Sequence, residues 1–151
     1  MKIRIEIDRE APEEIVIRSR SADARLQKIQ EAVARILDAD KELALQSGEE
    51  EIYVPYDELL FFETVDKRVW AHTAKGCFTC LMHLNELERM LPCTFARASK
   101  SCVINTSLIR SISRYPTGIA KATFRGSEKT VYISRMFYKD VREIIEETRL
   151  K

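Results

Sequence analysis

Basic and hydroxyl side chains that suit a phosphate backbone are concentrated in one short stretch, residues 97–101. The sequence there is Arg-Ala-Ser-Lys-Ser, so Arg97, Ser99, Lys100 and Ser101 offer closely spaced cationic and hydroxyl donors. Arginine and lysine neutralise phosphates, and serine hydroxyls donate to phosphate oxygens. An apolar, strand-like run follows directly. The stretch therefore predicts a loop that contacts a nucleic acid and is supported from behind by a strand.

The charge distribution supports this interpretation, although the net charge is only +1. Residues 97–135 contain eight basic side chains and a single acidic one, whereas residues 47–63 contain six acidic side chains and no basic one. Phosphates respond to the local potential, so a nearly neutral protein can present one basic face to a nucleic acid. The alternative is that both blocks are ordinary solvated surface, which is the commoner origin of a charge run.

The cysteines and histidines form no recognisable catalytic or metal-binding pattern. Cys77 and Cys80 are followed by His83, but the two cysteines lie in an apolar, strand-like segment. Residues three apart on a strand point to opposite faces, so the thiols would diverge and would not hold one zinc ion. We therefore predict buried, reduced cysteines and no metal or other cofactor. The sequence also lacks a catalytic triad and a P-loop, which predicts that the chain is not an enzyme.

The length and the hydropathy pattern predict a cytoplasmic protein. With 151 residues, of which 45% are hydrophobic, the chain can form one domain with a modest extension. No apolar run approaches the roughly 20 residues needed to span a bilayer. Residues 2–7 alternate charged residues with isoleucine and do not resemble a secretion signal.

Residues 1–41 are predicted to form a small β-β-α extension. Residues 2–7 alternate with period two, and residues 14–18 are a second strand candidate. Large apolar residues then recur on one face of a predicted helix, which Ser21 could cap, and they are Leu26, Ile29, Val33, Ile36 and Leu37. A unit of this size has little core of its own, so it should pack on the rest of the chain or on a partner.

Residues 42–151 show the close strand spacing of a compact antiparallel domain. Strand patterns occur at 42–46, 51–54, 59–64, 69–73, 77–81, 102–105, 109–113, 119–124 and 130–133. One short helix is predicted at residues 83–91. A final helix begins at Ser134, and its inward-facing residues are Phe137, Val141, Ile144 and Ile145. The expected fold class is mostly β with short helices, an α+β arrangement.

Four blocks of this sequence resemble the LytTR family of DNA-binding domains, the output modules of many bacterial transcriptional regulators. They are residues 54–63 (VPYDELLFFE), 84–88 (LNELE), 95–105 (FARASKSCVIN) and 131–135 (VYISR). The order and spacing of the blocks agree with the family over residues 42–145. The resemblance implies an elongated antiparallel β fold that reads DNA through loops at sheet edges and not through a recognition helix.

The resemblance also implies which residues contact DNA. By position, the family's contacts fall on Lys67 and Arg68 in the loop 66–68, on Arg97, Ser99, Lys100 and Ser101 in the loop 97–101, and on Ser134 and Arg135. A loop lysine or arginine can reach a guanine edge while its neighbours hold phosphates. We assign base reading to Lys100, with Arg135 as a second candidate. Arg97, Ser99 and Ser101 are assigned to positioning.

Each assignment has a structural alternative. These alternatives are hairpin-tip charge for Lys67 and Arg68, turn hydrogen bonds for Ser99 and Ser101, helix capping for Ser134, and internal anchoring for Arg97 and Asn105. Arg135 is different, because a cation in the first turn of a helix opposes the helix dipole. A contact with DNA is therefore the better explanation of Arg135.

The predicted function is sequence-specific binding of double-stranded DNA in transcription regulation, without a small-molecule substrate. A protein-binding or RNA-binding module without enzymatic activity is the alternative. Residues 1–40 are too few for a phosphoacceptor receiver domain, so phosphorylation control is unsupported. We expect residues 1–41 to act as a dimerisation element, which predicts a homodimer, or else to cap the sheet of the same chain. The resemblance adds a membrane-protein inhibitor as a candidate partner.

Overall fold

The computed structural model describes residues 2–12, 14–38 and 41–148. Within these residues the helices are α1 (Ala24–Asp38), α2 (Leu84–Met90) and α3 (Arg135–Thr148). The strands are β1 (Glu42–Ser47), β2 (Glu50–Pro55), β3 (Phe61–Val65), β4 (Arg68–His72), β5 (Cys77–Cys80), β6 (Phe95–Ser99), β7 (Cys102–Asn105), β8 (Ile109–Arg114), β9 (Ala120–Phe124) and β10 (Thr130–Ile133). None of the helices described is long and apolar enough to cross a membrane.

The strands form two antiparallel sheets. The larger sheet has the order β2-β1-β5-β4-β3-β7-β6, and the smaller sheet has the order β10-β9-β8. Most neighbours are joined by short polar turns, because consecutive antiparallel strands need only a tight connection. The predicted class, mostly antiparallel β with short helices, is confirmed.

Strand β3 lies between two hydrophobic cores. Phe62 packs into the core on one face of the large sheet, which α2 covers, together with Leu45 and Leu87. Its neighbour Phe61 points to the opposite face and packs into the second core, which includes Phe124 of the small sheet and residues of α3. Successive side chains of a strand alternate between faces, so one strand can serve both cores. The two cores therefore lie on opposite faces of β3, and the second core joins the large sheet to the small sheet.

The predicted N-terminal strands are not present among the described residues. Residues 2–7 and 14–18 form no regular element, and Ile3, Ile5 and Ile7 are 93%, 81% and 92% exposed. The alternating pattern is real, but a strand also needs a neighbour that accepts its backbone hydrogen bonds and covers one face. The described structure provides no such neighbour for these residues, so the prediction of a β-β-α unit was wrong in its two strands.

The predicted N-terminal helix is present as α1, and it contacts α3. Its N-cap is Asp23 and not Ser21, because Asp23 Oδ1 accepts the Leu26 N–H at 2.9 Å. That hydrogen bond holds the pKa of Asp23 below its ordinary value. Ile36 and Leu37 remain 71% and 58% exposed. The predicted domain boundary, between residues 41 and 42, lies close to residues 39–40, which are not among the described residues. Residue 1 and residues 149–151, at the two ends of the predicted domains, are likewise outside the described residues.

Candidate nucleic-acid interface

Two backbone hydrogen bonds bring the three predicted contact segments together. The Thr64 N–H donates to the Ser101 carbonyl at 2.9 Å, and the Ser134 N–H donates to the Ala98 carbonyl at 2.9 Å. The first bond ties the β6–β7 turn to the end of β3, just before the β3–β4 hairpin. The second bond ties β6 to the start of α3. The hairpin, the turn and the helix start therefore lie side by side at one end of the sheets.

The β3–β4 hairpin has a two-residue turn formed by Asp66 and Lys67. Their φ angles are +51° and +66°, and Val65 pairs with Arg68 across the turn. Two positive φ values at the central positions are the mark of a type I′ turn, whose twist matches that of the flanking strands. Lys67 and Arg68 are both exposed. The predicted loop is thus a tight hairpin tip, with Arg68 already on β4.

The segment predicted as the loop 97–101 is mostly strand. Arg97 and Ser99 belong to β6, and only Lys100 and Ser101 form the turn. No strand was predicted here, because the polar neighbours concealed Ala98, which is fully buried between them. Ser99 Oγ accepts the Ser101 N–H at 3.3 Å, so the serines stabilise the turn. Lys100 is exposed at its tip.

The Arg97 side chain forms its hydrogen bonds within the protein. Its Nη1 donates to the Lys100 carbonyl at 2.7 Å, its Nη2 donates to Asn85 Oδ1 at 2.6 Å, and its Nε donates to Glu88 Oε2 at 3.3 Å. Only 14% of the side chain is exposed. These contacts fasten the β6–β7 turn to α2, and they match the anchoring role that the sequence left open for Arg97.

The start of α3 completes the cluster. The Ser134 carbonyl accepts the N–H groups of Phe137 and Tyr138 at 3.1 and 3.0 Å, so the helix begins where the sequence predicted. Arg135 is exposed in the first turn. Gly118 of the β8–β9 turn lies against its stem, since a Cβ on Gly118 would be 2.5 Å from Arg135 Cδ.

Arg114 also lies at this end, although the sequence pattern predicted no role for it. It is the last residue of β8, and its guanidinium lies 4.4 Å from the ring centroid of Tyr138. The sequence shows only that Arg114 belongs to the basic block. Its place beside the start of α3 follows from the pairing of β8 with β9 and of β9 with β10.

The fold divides the acidic block: Glu63 lies on β3, close to the hairpin, whereas Glu50 and Glu51 lie away from Lys100. Glu50 and Glu51 are on β2, which is one edge of the large sheet, whereas β6 is the opposite edge. Five strands separate the two edges. The exposed cations Lys67, Lys100 and Arg135 thus share a region that Glu50 and Glu51 do not neutralise at close range.

A polar cluster links the two sheets at the other end of β3 and β4. His72 Nε2 lies 2.8 Å from Glu63 Oε1, and Lys129 Nζ lies 3.3 Å from His72 Nδ1 and 2.8 Å from the Gly76 carbonyl. An ammonium group can only donate, so Nδ1 must be the acceptor and Nε2 must carry the proton donated to Glu63. This arrangement requires neutral His72. Burial lowers the pKa of His72, and Glu63 opposes that shift.

Stability is therefore expected to fall as the pH drops below the ordinary histidine pKa of 6.5. The folded state takes up a proton on His72 less readily than the unfolded chain, so the contribution of neutral His72 is present above 6.5 and is lost as the pH falls from there. Urea unfolding between about pH 5.5 and 7.5 should show this loss in the parent. His72→Gln should show a smaller loss, and an identical pH dependence in both proteins would contradict the assignment.

The cysteines diverge as their spacing predicted. Cys80 is buried in the core that contains Phe62, whereas Cys77 is exposed on the opposite face of β5. The prediction of buried cysteines is wrong for Cys77 and for Cys93, which is also exposed. Burial raises the pKa of Cys80, and it raises the pKa of Cys102 to about 12. Both buried thiols therefore stay protonated near neutral pH, which makes them unreactive.

Comparison with known proteins agrees with this geometry. The family of the LytTr DNA-binding domain matches residues 49–146. The chain belongs to this family. A solved LytTr DNA-binding domain from Bacillus cereus has a similar fold, with a TM-score of 0.65 and 20% identity, covering 70% of this chain and 97% of that one. Two Staphylococcus aureus proteins named as uncharacterized HTH-type transcriptional regulators are 30% and 29% identical over 117 residues, 76% of this chain and 79% of each relative.

The LytTR match includes the hairpin tip, the β6–β7 turn and the start of α3. It begins at residue 49, in the β1–β2 turn, and so leaves α1 and the preceding residues outside. The LytTR match therefore covers the two sheets apart from β1, and it covers α3 as far as residue 146. The N-terminal helix of this chain lies outside the LytTR match.

Proposed function

We propose that this LytTR protein is a transcription regulator that binds double-stranded DNA sequence-specifically through three segments at one end of its sheets. The observation that carries the proposal is the pair of hydrogen bonds, Thr64 to Ser101 and Ser134 to Ala98, that sets the segments side by side. The description of the family as a DNA-binding domain and the names of the Staphylococcus aureus relatives support it. Such a regulator works in the bacterial cytoplasm.

The exposure and contacts of the side chains suggest a division of labour. Lys100 and Arg135 are exposed and read base edges, since lysine and arginine suit the guanine O6 and N7 acceptors. Lys67 and Arg68 bind phosphates from the hairpin tip. Arg97 holds the β6–β7 turn in place and leaves direct contact with DNA to Lys100.

The arrangement of the described helices favours recognition of DNA by loops. Helices α1, α2 and α3 are separated from one another by strands, so no two successive helices of the described residues form a helix-turn-helix pair. The segments that carry exposed cations are instead a hairpin tip, a turn and a helix start. We therefore propose that the domain inserts these segments, and not a recognition helix, into the grooves of DNA.

A salt series on a duplex selected from a random pool tests the proposal. Binding through phosphates predicts that log K falls linearly with log salt, with a slope of about −0.9 for each phosphate neutralised. The selected duplex should also bind more tightly than a scrambled duplex of equal length at the same salt concentration. Binding that is insensitive to salt, or equal for both duplexes, would reject sequence-specific recognition of DNA.

We further propose that residues 1–41 promote a homodimer. Helix α1 packs on α3 of its own chain but leaves Ile36 and Leu37 exposed, which provides an apolar surface for a second copy. Two linked modules bind paired sites with higher avidity than one module. Deleting residues 1–40 should convert the dimer found by light scattering into a monomer, and an unchanged oligomeric state would refute this role. The membrane-protein inhibitor stays a prediction, which co-purification from membranes can test.

A further inference from the structure

We infer that the end of β8 and the β8–β9 turn form a fourth segment of the DNA interface, in which Arg114 binds a backbone phosphate beside the base step that Arg135 reads. The inference rests on the proposed function and adds a contact to it. Arg114 is separated in sequence from all three segments predicted to contact DNA. Only the fold brings it to them.

Strand pairing places Arg114 at the end of the small sheet where α3 begins. Arg114 pairs with Ala120 on β9, and Ala120 pairs with Ile133 on β10. The residue after Ile133 is Ser134, where the third contact segment begins. The last residue of β8 and the start of α3 therefore lie across a single strand from each other.

The turn itself is closed and packed against Arg135. The Gly118 N–H donates to the Tyr115 carbonyl at 2.9 Å, and the Tyr115 N–H donates to the Ile119 carbonyl at 2.8 Å. Gly118 has a φ of +89° and approaches the Arg135 stem so closely that a Cβ would lie 2.5 Å from Cδ. The turn is thus a defined structure that shares a surface with a proposed base-reading side chain.

The guanidinium of Arg114 lies over Tyr138 and remains available to bind a phosphate. Its central carbon lies over the Tyr138 ring, 4.4 Å from the ring centroid, and the side chain is exposed. Within the described residues no carboxylate lies within ion-pair distance of Arg114, whereas Arg142 of α3 pairs with Glu146. A guanidinium that lies over a ring and has no carboxylate partner can still donate its N–H groups to the two oxygens of a phosphate.

The test compares Arg114→Gln with Arg110→Gln, which removes the same charge from the opposite end of β8. Arg114→Gln should weaken binding of the selected and the scrambled duplex by similar factors and reduce the magnitude of the salt slope by about one. Arg110→Gln should keep the slope of the parent. Arg114→Lys should restore most of the slope, because a lysine retains the charge.

The outcomes separate this inference from the function on which it rests. An Arg114→Gln protein with the salt slope of the parent would overturn the phosphate contact while leaving DNA binding intact. A loss confined to the selected duplex would also overturn it, because that result indicates base reading. A parent protein without salt-dependent duplex binding would instead reject the proposed function. Circular dichroism of each variant confirms that the fold is retained.

Discussion

Alanine at Lys100 or at Arg135 is expected to weaken binding of the cognate duplex by about 1–3 kcal/mol for each base that is no longer contacted. Both side chains are exposed, and neither forms an ion pair within the described residues, so their removal should leave the stability of the domain nearly unchanged. The weakening should be larger on the cognate than on a scrambled duplex, because a base contact contributes little to non-specific binding.

The chain offers matched controls for this pair. Lys75→Ala and Arg125→Ala remove the same charges from exposed positions in the turns at the other end of the sheets. They should alter neither the affinity for the cognate duplex nor its preference over the scrambled one. Fluorescence anisotropy with both duplexes at one fixed salt concentration measures all four variants. If Lys100→Ala and Arg135→Ala bind like the parent, the assignment of the base-reading residues is wrong even where DNA binding persists.

Local patterns predicted most of the strands because the buried positions alternate along them. In β9, for example, Ala120, Ala122 and Phe124 are buried and the residues between them are not. The same alternation in residues 2–7 predicted a strand that is not formed. Alternation says which side chains would share a face, but it does not say whether a neighbouring strand exists. That information lies in the rest of the chain.

The contact segments could be named from the sequence, but their roles could not be separated there. Arg97 and Lys100 are three residues apart in one basic stretch, and both look suited to phosphate. The structure distinguishes them because Arg97 lies on β6 against α2, whereas Lys100 is at the tip of the turn. The role of Arg114 could not be predicted either, because it depends on the position of the side chain in the fold. Its proximity to Arg135 depends on pairing across β9, which leaves no local trace in the sequence.

Asn105→Asp is expected to destabilise the domain by about 3–5 kcal/mol at neutral pH, the cost of an uncompensated buried charge. Asn105 is only 1% exposed. Its Nδ2 donates to the carbonyls of Leu59 and Tyr56 at 3.0 and 3.4 Å, and its Oδ1 accepts the Ser107 N–H at 3.1 Å. The change to aspartate preserves the shape of the side chain. It replaces the donor with a carboxylate oxygen that faces two carbonyl oxygens, and so it creates repulsion without leaving a cavity.

Acid should relieve this defect. The folded state raises the pKa of the new carboxyl above its unfolded value of about 3.9, so the penalty grows as the pH rises above that value and is smallest below it. Asn85→Asp is the matched control, for which the change in stability should have the opposite sign. Asn85 is exposed, and its Oδ1 accepts a hydrogen bond from Arg97 Nη2 at 2.6 Å. A carboxylate there gains a charge-assisted hydrogen bond and should leave stability equal or slightly higher. Urea unfolding at about pH 4.5 and pH 7 measures both variants. Equal destabilisation of the two proteins, or a destabilisation of Asn105→Asp that does not depend on pH, would contradict the role assigned to the Nδ2 donor.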